Sequence, residues 1–422
     1  MKSSSLDYAV TQLFRKTQVP LVGILEVVLV AFFLVIASRY WSISEHVAYI
    51  SLFAATGLIA VTRGITGPLS VRRFLPLIAF ALFIGWIVLS SSWSPTFHLS
   101  LGRAVTVGLV AAIGVAIGFA LKPEAVAKGL LLGVLFHVAH ASLTDGLGPM
   151  GFLALGSDPG LFTSISDMTY LLGIGVVSAL WVATKRRTFF FLFLPLVILF
   201  LVAAAGILVL TMFFAVTGAT AVGLMILHLR YANDRLRKLL SVVYPTLVFL
   251  GVVIFWVFRE PILRPLGEDP NLSGRTIIWD WYFEAFLWEP VIGIGWGNTY
   301  NWPLTPGDIY PTGGYFIAHN GFIDIGLVTG GVGVVLIMAT LVLVFLRGSS
   351  LALDRAKSLS YLVIPTLLTY IVINDIMATS LPRYIGVFLV GAMVGLVVSG
   401  NTKSELRESS DSTTGRDTAV RV

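Results

Sequence analysis

Within residues 259–333 the chain reads Leu-Ser-Gly-Arg-Thr-Ile-Ile-Trp (272–279), then Pro-Val-Ile-Gly-Ile-Gly (290–295), then Ala-His-Asn-Gly (318–321). This stretch is the one long polar interruption in an otherwise apolar sequence. On either side, apolar residues fall in runs of about 20, the length a helix needs to cross a bilayer. Backbone amides find no water partners in hydrocarbon, so only helices or closed barrels span it. The runs are continuous rather than alternating, which selects helices. The expected fold is an all-α integral membrane protein whose long polar loop is set between spans.

Composition agrees. Hydrophobic residues make up 57% of the chain and charged residues 12%, against roughly 45–50% and about 25% in soluble domains. The absence of cysteine excludes disulfides, thiolate metal sites and cysteine nucleophiles. The net charge of +6 follows the membrane in its placement and calls for no nucleic acid. The lead-in carrying Lys2, Arg15 and Lys16 is too long and too charged for a cleaved signal.

Apolar runs near 20–38, 46–62, 74–92, 101–120, 125–143, 167–184, 188–205, 207–228, 240–258, 319–346, 358–376 and 384–400 predict about 12 transmembrane helices. Basic clusters on both sides of 188–229, at 185–187 and 230–238, require an even number of crossings there. The expected organisation is a cytoplasmic segment (1–19), spans one to nine (20–258), a large extracytoplasmic loop with an interfacial helix (259–318), spans ten to twelve (319–400), and a disordered cytoplasmic tail (401–422). With both termini inside, 22 of the 28 basic residues fall on the cytoplasmic side, which fixes the orientation. The six outer cations, Arg39, Arg103, Arg259, Arg264, Arg275 and Arg383, are all arginine. Guanidinium is a planar fork that binds phosphate oxygens in pairs. The plain alternative is that some of them snorkel at helix ends.

A loop as long as 259–318 points to function rather than connection. It holds five of the ten tryptophans and is net acidic. Residues 275–289 lack Gly and Pro and read as a helix on the membrane surface. Interfacial partition accounts for most of its aromatics, and stacking on sugar faces is the functional alternative. His319 stands where the loop re-enters the membrane. Imidazole exchanges protons near neutral pH, and a helix start offers free amides to an anion; capping that helix is the bland role. His137 and His140, without a carboxylate in their helix, read as packed residues rather than metal ligands. Glu26, Asp324 and Asp375 need partners, because unpaired charge in lipid is costly. So few intramembrane charges count against a pump or ion-coupled transporter.

Ser273-Gly274-Arg275-Thr276 with Trp279, then Pro290 and Gly293-Ile294-Gly295, resembles the signature of the O-antigen ligase and polysaccharide polymerase family, including its exopolysaccharide polymerase-like members. His319-Asn320, nine residues, Gly330, two residues, Gly333 is similar to its His-Asn-x9-Gly-x-x-Gly motif, and Trp93-Ser94-Pro95 with Arg103 to its early Trp-Ser-Pro segment. The segments Gly160–Asp167 and Leu210–Phe214 depart from the family pattern, lacking its basic groups.

The resemblance implies a GT-C-like fold with the long loop before the third-last helix. It implies transfer or polymerisation of a glycan from an undecaprenyl-diphosphate carrier on the outer face of the cytoplasmic membrane. The reaction would be an inverting displacement without metal, cofactor or nucleotide sugar, and the acceptor a glycan, lipid or protein. On the matching positions Arg275 and His319 become catalytic. Arg264, Arg103, Trp279, Asn320 and Asp324 become supports or ligands for diphosphate and glycan. The competing expectation is a transporter or flippase for a polyprenyl-linked or small anionic solute.

Overall fold

The computed structural model describes residues 24, 26–32, 34, 71–144, 165–185, 234–266, 270–272, 274–297, 318–353, 361, 363–375 and 384–400. The expected spans at 46–62, 188–205 and 207–228, the loop residues 301–317 and the tail lie outside them. So do both segments that depart from the family pattern, apart from residues 165–167. Among the described residues every regular element is helical. In chain order they are α1 (Val71–Ser90), α2 (Phe97–Ala120), α3 (Pro123–Thr144), α4 (Ile165–Lys185), α5 (Asp234–Leu263), α6 (Arg275–Trp288), α7 (Gly321–Leu353), α8 (Val363–Asp375) and α9 (Tyr384–Ser399). Among the described residues three stretches, Val71–Trp93, Phe97–Ala120 and Gly321–Ala352, are long and apolar enough to cross a membrane.

The tightest pairing is α2 with α9. Gly114 and Gly118 on α2 face Gly391 and Gly395 on α9, and a Cβ on Gly118 would stand 1.9 Å from the Ala392 carbonyl oxygen. Two small-x-x-x-small stripes let the backbones touch where helices gain no hydrophobic drive from one another. Residue numbers rise together along this contact, so α2 and α9 run parallel. An odd number of crossings between two spans gives that relation, and the expected fourth and twelfth spans have it.

α9 is then held at its last turn. Arg73 on α1 donates from Nε to the Val398 carbonyl, and Arg347 on α7 donates from Nη2 to the Gly400 carbonyl at 3.2 Å. Guanidinium groups suit a helix C-terminus, where carbonyls lack partners and the dipole is negative. α8 packs on α4 through stacked Tyr370 and Tyr170, whose ring centroids are 5.9 Å apart, with the Tyr370 hydroxyl donating to the Tyr170 carbonyl at 3.0 Å. α7 lies along α1 and carries α6 on its first half.

Candidate functional site

The site is built on a break in α7. Read as sequence, 319–346 is one apolar run; in the structure the helix is interrupted at Gly330, with φ 67° and ψ −172°. That conformation is essentially reserved for glycine. An uninterrupted helix would pair Gly331 N–H with the Leu327 carbonyl and Val332 N–H with that of Val328. Instead Gly331 N–H donates to Pro290 O at 2.8 Å and Val332 N–H to Val291 O at 3.2 Å. The freed carbonyls of Leu327 and Val328 accept from Ile294 N–H at 2.9 Å and Gly295 N–H at 3.1 Å. The segment Pro290–Gly295 is thus spliced into the helix, replacing two helical bonds with four. Irregular backbone at such a place is tolerated only when its polar groups are satisfied by protein.

Trp86 and Trp93 complete the splice. The Trp86 indole donates to the Thr329 carbonyl at 2.8 Å, and the Trp93 indole to the Gly293 carbonyl at 3.1 Å. Ser94 lies under Gly295, where a Cβ would stand 2.8 Å from the Ser94 Cα. The Trp-Ser-Pro, Gly-x-Gly and Gly-x-x-Gly segments are therefore one structural unit. The sequence displays all three without joining them, because the backbone exchange reaches across some 40 residues and the indole bonds across 200 and 243, and neither leaves a local pattern.

The splice sets two short segments side by side, the start of α6 and the turn that enters α7. Gly274, with φ 82°, starts α6, and Arg275 is its first residue. The Arg275 side chain is buried at 9% exposure, and among the described residues its Nη1 atom has no hydrogen-bond partner. Burial lowers its pKa from the ordinary arginine value, though guanidinium remains charged at neutral pH. A buried cationic donor without an acceptor is costly, and an anion is the species that satisfies it.

Trp279 follows Arg275 by one turn on the same face of α6. Its indole donates to the Ala318 carbonyl at 2.5 Å. The Ala318 amide in turn donates to Asp324 Oδ1 at 3.0 Å. Both peptide groups of Ala318 are thereby anchored, one from each helix. His319, the next residue, takes φ 52°, a left-handed conformation uncommon outside glycine though enriched for histidine. Asn320 caps α7, its Oδ1 accepting from Phe322 N–H at 3.0 Å and Ile323 N–H at 3.1 Å.

The structure thus brings Arg275, Trp279, His319, Asn320 and Asp324 into one linked group. Arg103 stands exposed in the second turn of α2, one turn beyond Ser100, whose Oγ lies 3.0 Å from a Cβ built on Gly297. Arg264 is not drawn in: it is exposed after α5 and ion-paired with Glu260 one turn back. Asp375 is fully buried at the end of α8, and a Cβ on Gly321 would meet its Oδ1 at 2.2 Å. The sequence marked Asp375 as needing a partner; its place beneath the His319 turn required the packing of α8. His137 is buried and its Nδ1 lies 2.9 Å from the Gly133 carbonyl, a packed role. Among the described residues no group of three His, Cys, Asp or Glu is placed to hold a metal.

A family model described as O-antigen ligase matches residues 152–338. A search of curated proteins returned no match. The matched segment contains α6, the Pro290–Gly295 splice, the His319 turn and the break at Gly330. That segment is what the chain shares with the O-antigen ligase family, and the similarity supports reading it as a membrane protein that processes glycans.

Proposed function

We propose that this protein is a glycosyltransferase that transfers or polymerises a glycan from an undecaprenyl-diphosphate-linked donor on the outer face of the cytoplasmic membrane. The observation that carries this reading is the buried Nη1 of Arg275, without a hydrogen-bond partner among the described residues and one turn before the Trp279 that anchors the His319 turn. In the proposed reaction an acceptor hydroxyl attacks the anomeric carbon from the face opposite the diphosphate. The new C–O bond forms as the bond to diphosphate breaks, and the electron pair leaves with the diphosphate. Arg275 donates to the diphosphate oxygens, meeting charge that grows in the transition state. His319 orients the acceptor hydroxyl and takes its proton. Diphosphate is already a good leaving group, so the chemistry needs neither metal nor nucleotide sugar.

Trp279 and Asp324 act through Ala318, and Asn320 through the cap of α7; all three hold the His319 turn. Of the two additional arginines, Arg103 stands one turn beyond Ser100, which lies against Gly297. Arg264 is held by Glu260.

The test is purified protein in nanodiscs with a short undecaprenyl-diphosphate-oligosaccharide and no metal or nucleotide, the products read by mass. A ladder of carrier-linked chains establishes a polymerase. A single transfer, seen only with an added acceptor, establishes a ligase. No turnover, with carrier movement across liposomes, overturns the transferase reading in favour of a transporter.

A further inference from the structure

We propose that Trp86 and Trp93 are positioning residues for this transfer: their indole N–H groups hold α7 in its broken form and so fix where the His319 turn stands against α6. The inference rests on the transfer reading of the site. Its basis is the exchangeable set of bonds around Gly330. The amides that Pro290 and Val291 accept from, and the carbonyls that Ile294 and Gly295 donate to, are the i and i−4 partners of a continuous helix. Withdrawal of Pro290–Gly295 would let Gly331 and Val332 re-pair with Leu327 and Val328 and close the break. The local backbone has a satisfied alternative, and something outside it must select the broken form.

The two indoles do this from both sides of the splice. Trp86 occupies the Thr329 carbonyl, the acceptor that Gly333 N–H would take in an uninterrupted helix. Trp93 holds the Gly293 carbonyl on the inserted segment. The rings lie against each other with centroids 5.6 Å apart, and both are carried by α1 and the turn that follows it. α1 in turn is fastened at its far end by Arg73 to α9. The indoles thus refer the break to the rest of the bundle. Closing it would redirect residues 321–329, the helical half that bears Asn320, Asp324 and the His319 turn.

The test keeps the ring and removes the donor. Trp86→Phe and Trp93→Phe are expected to lower kcat at least about tenfold while moving KM for the lipid-linked glycan less than about threefold, the pattern of lost positioning rather than lost binding. Independently of turnover, hydrogen exchange at the Ile294 and Gly295 amides is expected to speed up in both variants. The chain has no cysteine, so a Val291→Cys/Val332→Cys pair can be cross-linked where Val332 N–H already meets Val291 O at 3.2 Å. Cross-linking that pair in the Trp93→Phe background is expected to restore most of the rate. If Trp93→Phe fails to insert, 3-benzothienylalanine at 93, with sulfur in place of N–H, takes its place.

Unchanged kcat, unchanged exchange, or a rate that stays low after cross-linking overturns the positioning role. Full activity of Arg275→Ala in the same assay overturns the transfer site instead. The exchange measurement then still decides whether the indoles hold the splice.

Discussion

Gly293 lies so close to Gly330 that a Cβ built on it would stand 2.4 Å from the Gly330 amide nitrogen. The reverse holds too: a Cβ on Gly330 would stand 2.6 Å from the Gly293 amide nitrogen, and closer still to the Val291 carbonyl oxygen. Both glycines have positive φ, 70° and 67°. Two motifs some 40 residues apart in sequence are two halves of one backbone contact.

Alanine at either glycine is therefore expected to be disruptive for two separate reasons. Left-handed backbone costs a non-glycine residue roughly 1–2 kcal/mol, and the clash is with backbone, which has no rotamer to yield. Gly293→Ala and Gly330→Ala should melt well below wild type in detergent and lose transfer. Gly251→Ala is the matched control, since nothing among the described residues lies within 4 Å of its Cβ position and alanine favours a helix by about 1 kcal/mol. Thermal unfolding of the three variants decides it. A Gly330→Ala protein that melts with wild type would show that the break does not depend on that glycine.

Arg275 should separate stability from activity. Its charge is buried with one donor unpaired among the described residues and its pKa lowered by desolvation, so burying it costs stability. Arg275→Met is expected to melt at or above the wild-type temperature while transfer falls at least about 100-fold, the scale of losing one donor to a developing anion. Arg275→Lys keeps the charge but not the fork, and should recover only a small part of the rate. Soluble diphosphate should raise the melting temperature of wild type and not of Arg275→Met. Arg264→Ala, which breaks only an exposed pair with Glu260, should change stability by less than about 1 kcal/mol.

The two anchors of Ala318 give a graded series. Trp279→Phe leaves the Ala318 carbonyl without its indole donor, and Asp324→Ala leaves the Ala318 amide without its acceptor. Each orphaned buried group should cost about 1–3 kcal/mol. Asp324→Asn keeps an oxygen acceptor and should be the mildest of the three. All are expected to lower kcat, because the His319 turn depends on Ala318. Steady-state kinetics beside denaturant melts would expose the alternative, a stability loss with kcat intact.

The cap and the histidine should also part company. Asn320→Ala removes the acceptor for two amides of the first turn of α7, and is expected to cost about 1 kcal/mol. Asn320→Asp keeps the acceptor and adds a charge that a helix N-terminus favours, so it should be neutral or stabilising. His319→Gly relieves a positive φ and should melt no lower than wild type, yet lose transfer. Retained transfer in His319→Gly would remove the imidazole from the reaction.

The sequence by itself determined the solvent of the fold. Runs of about 20 apolar residues have one stable answer in lipid, because every backbone amide must be paired within the chain. It also marked the segment that carries the site, since Arg275, Trp279, His319 and Asn320 interrupt those runs. The start of α6 at Arg275 is a local event, legible from a run without Gly or Pro after Gly274; the cap of α7 falls on Asn320, one residue after the histidine to which the sequence offered that role. The break at Gly330 was not legible in that way. A Gly-Gly pair in an apolar run is compatible with a continuous helix, and only a competing set of backbone partners makes the broken form stable. Those partners come from Pro290–Gly295 and from Trp86 and Trp93, some 240 residues away. The same reason separates Arg275 from Arg264: both are loop arginines in the sequence, and only packing buries one and leaves the other exposed beside Glu260. Residue type and spacing chose the chemistry, and the tertiary structure chose which groups meet, because burial and long-range hydrogen bonds are properties of the packed chain.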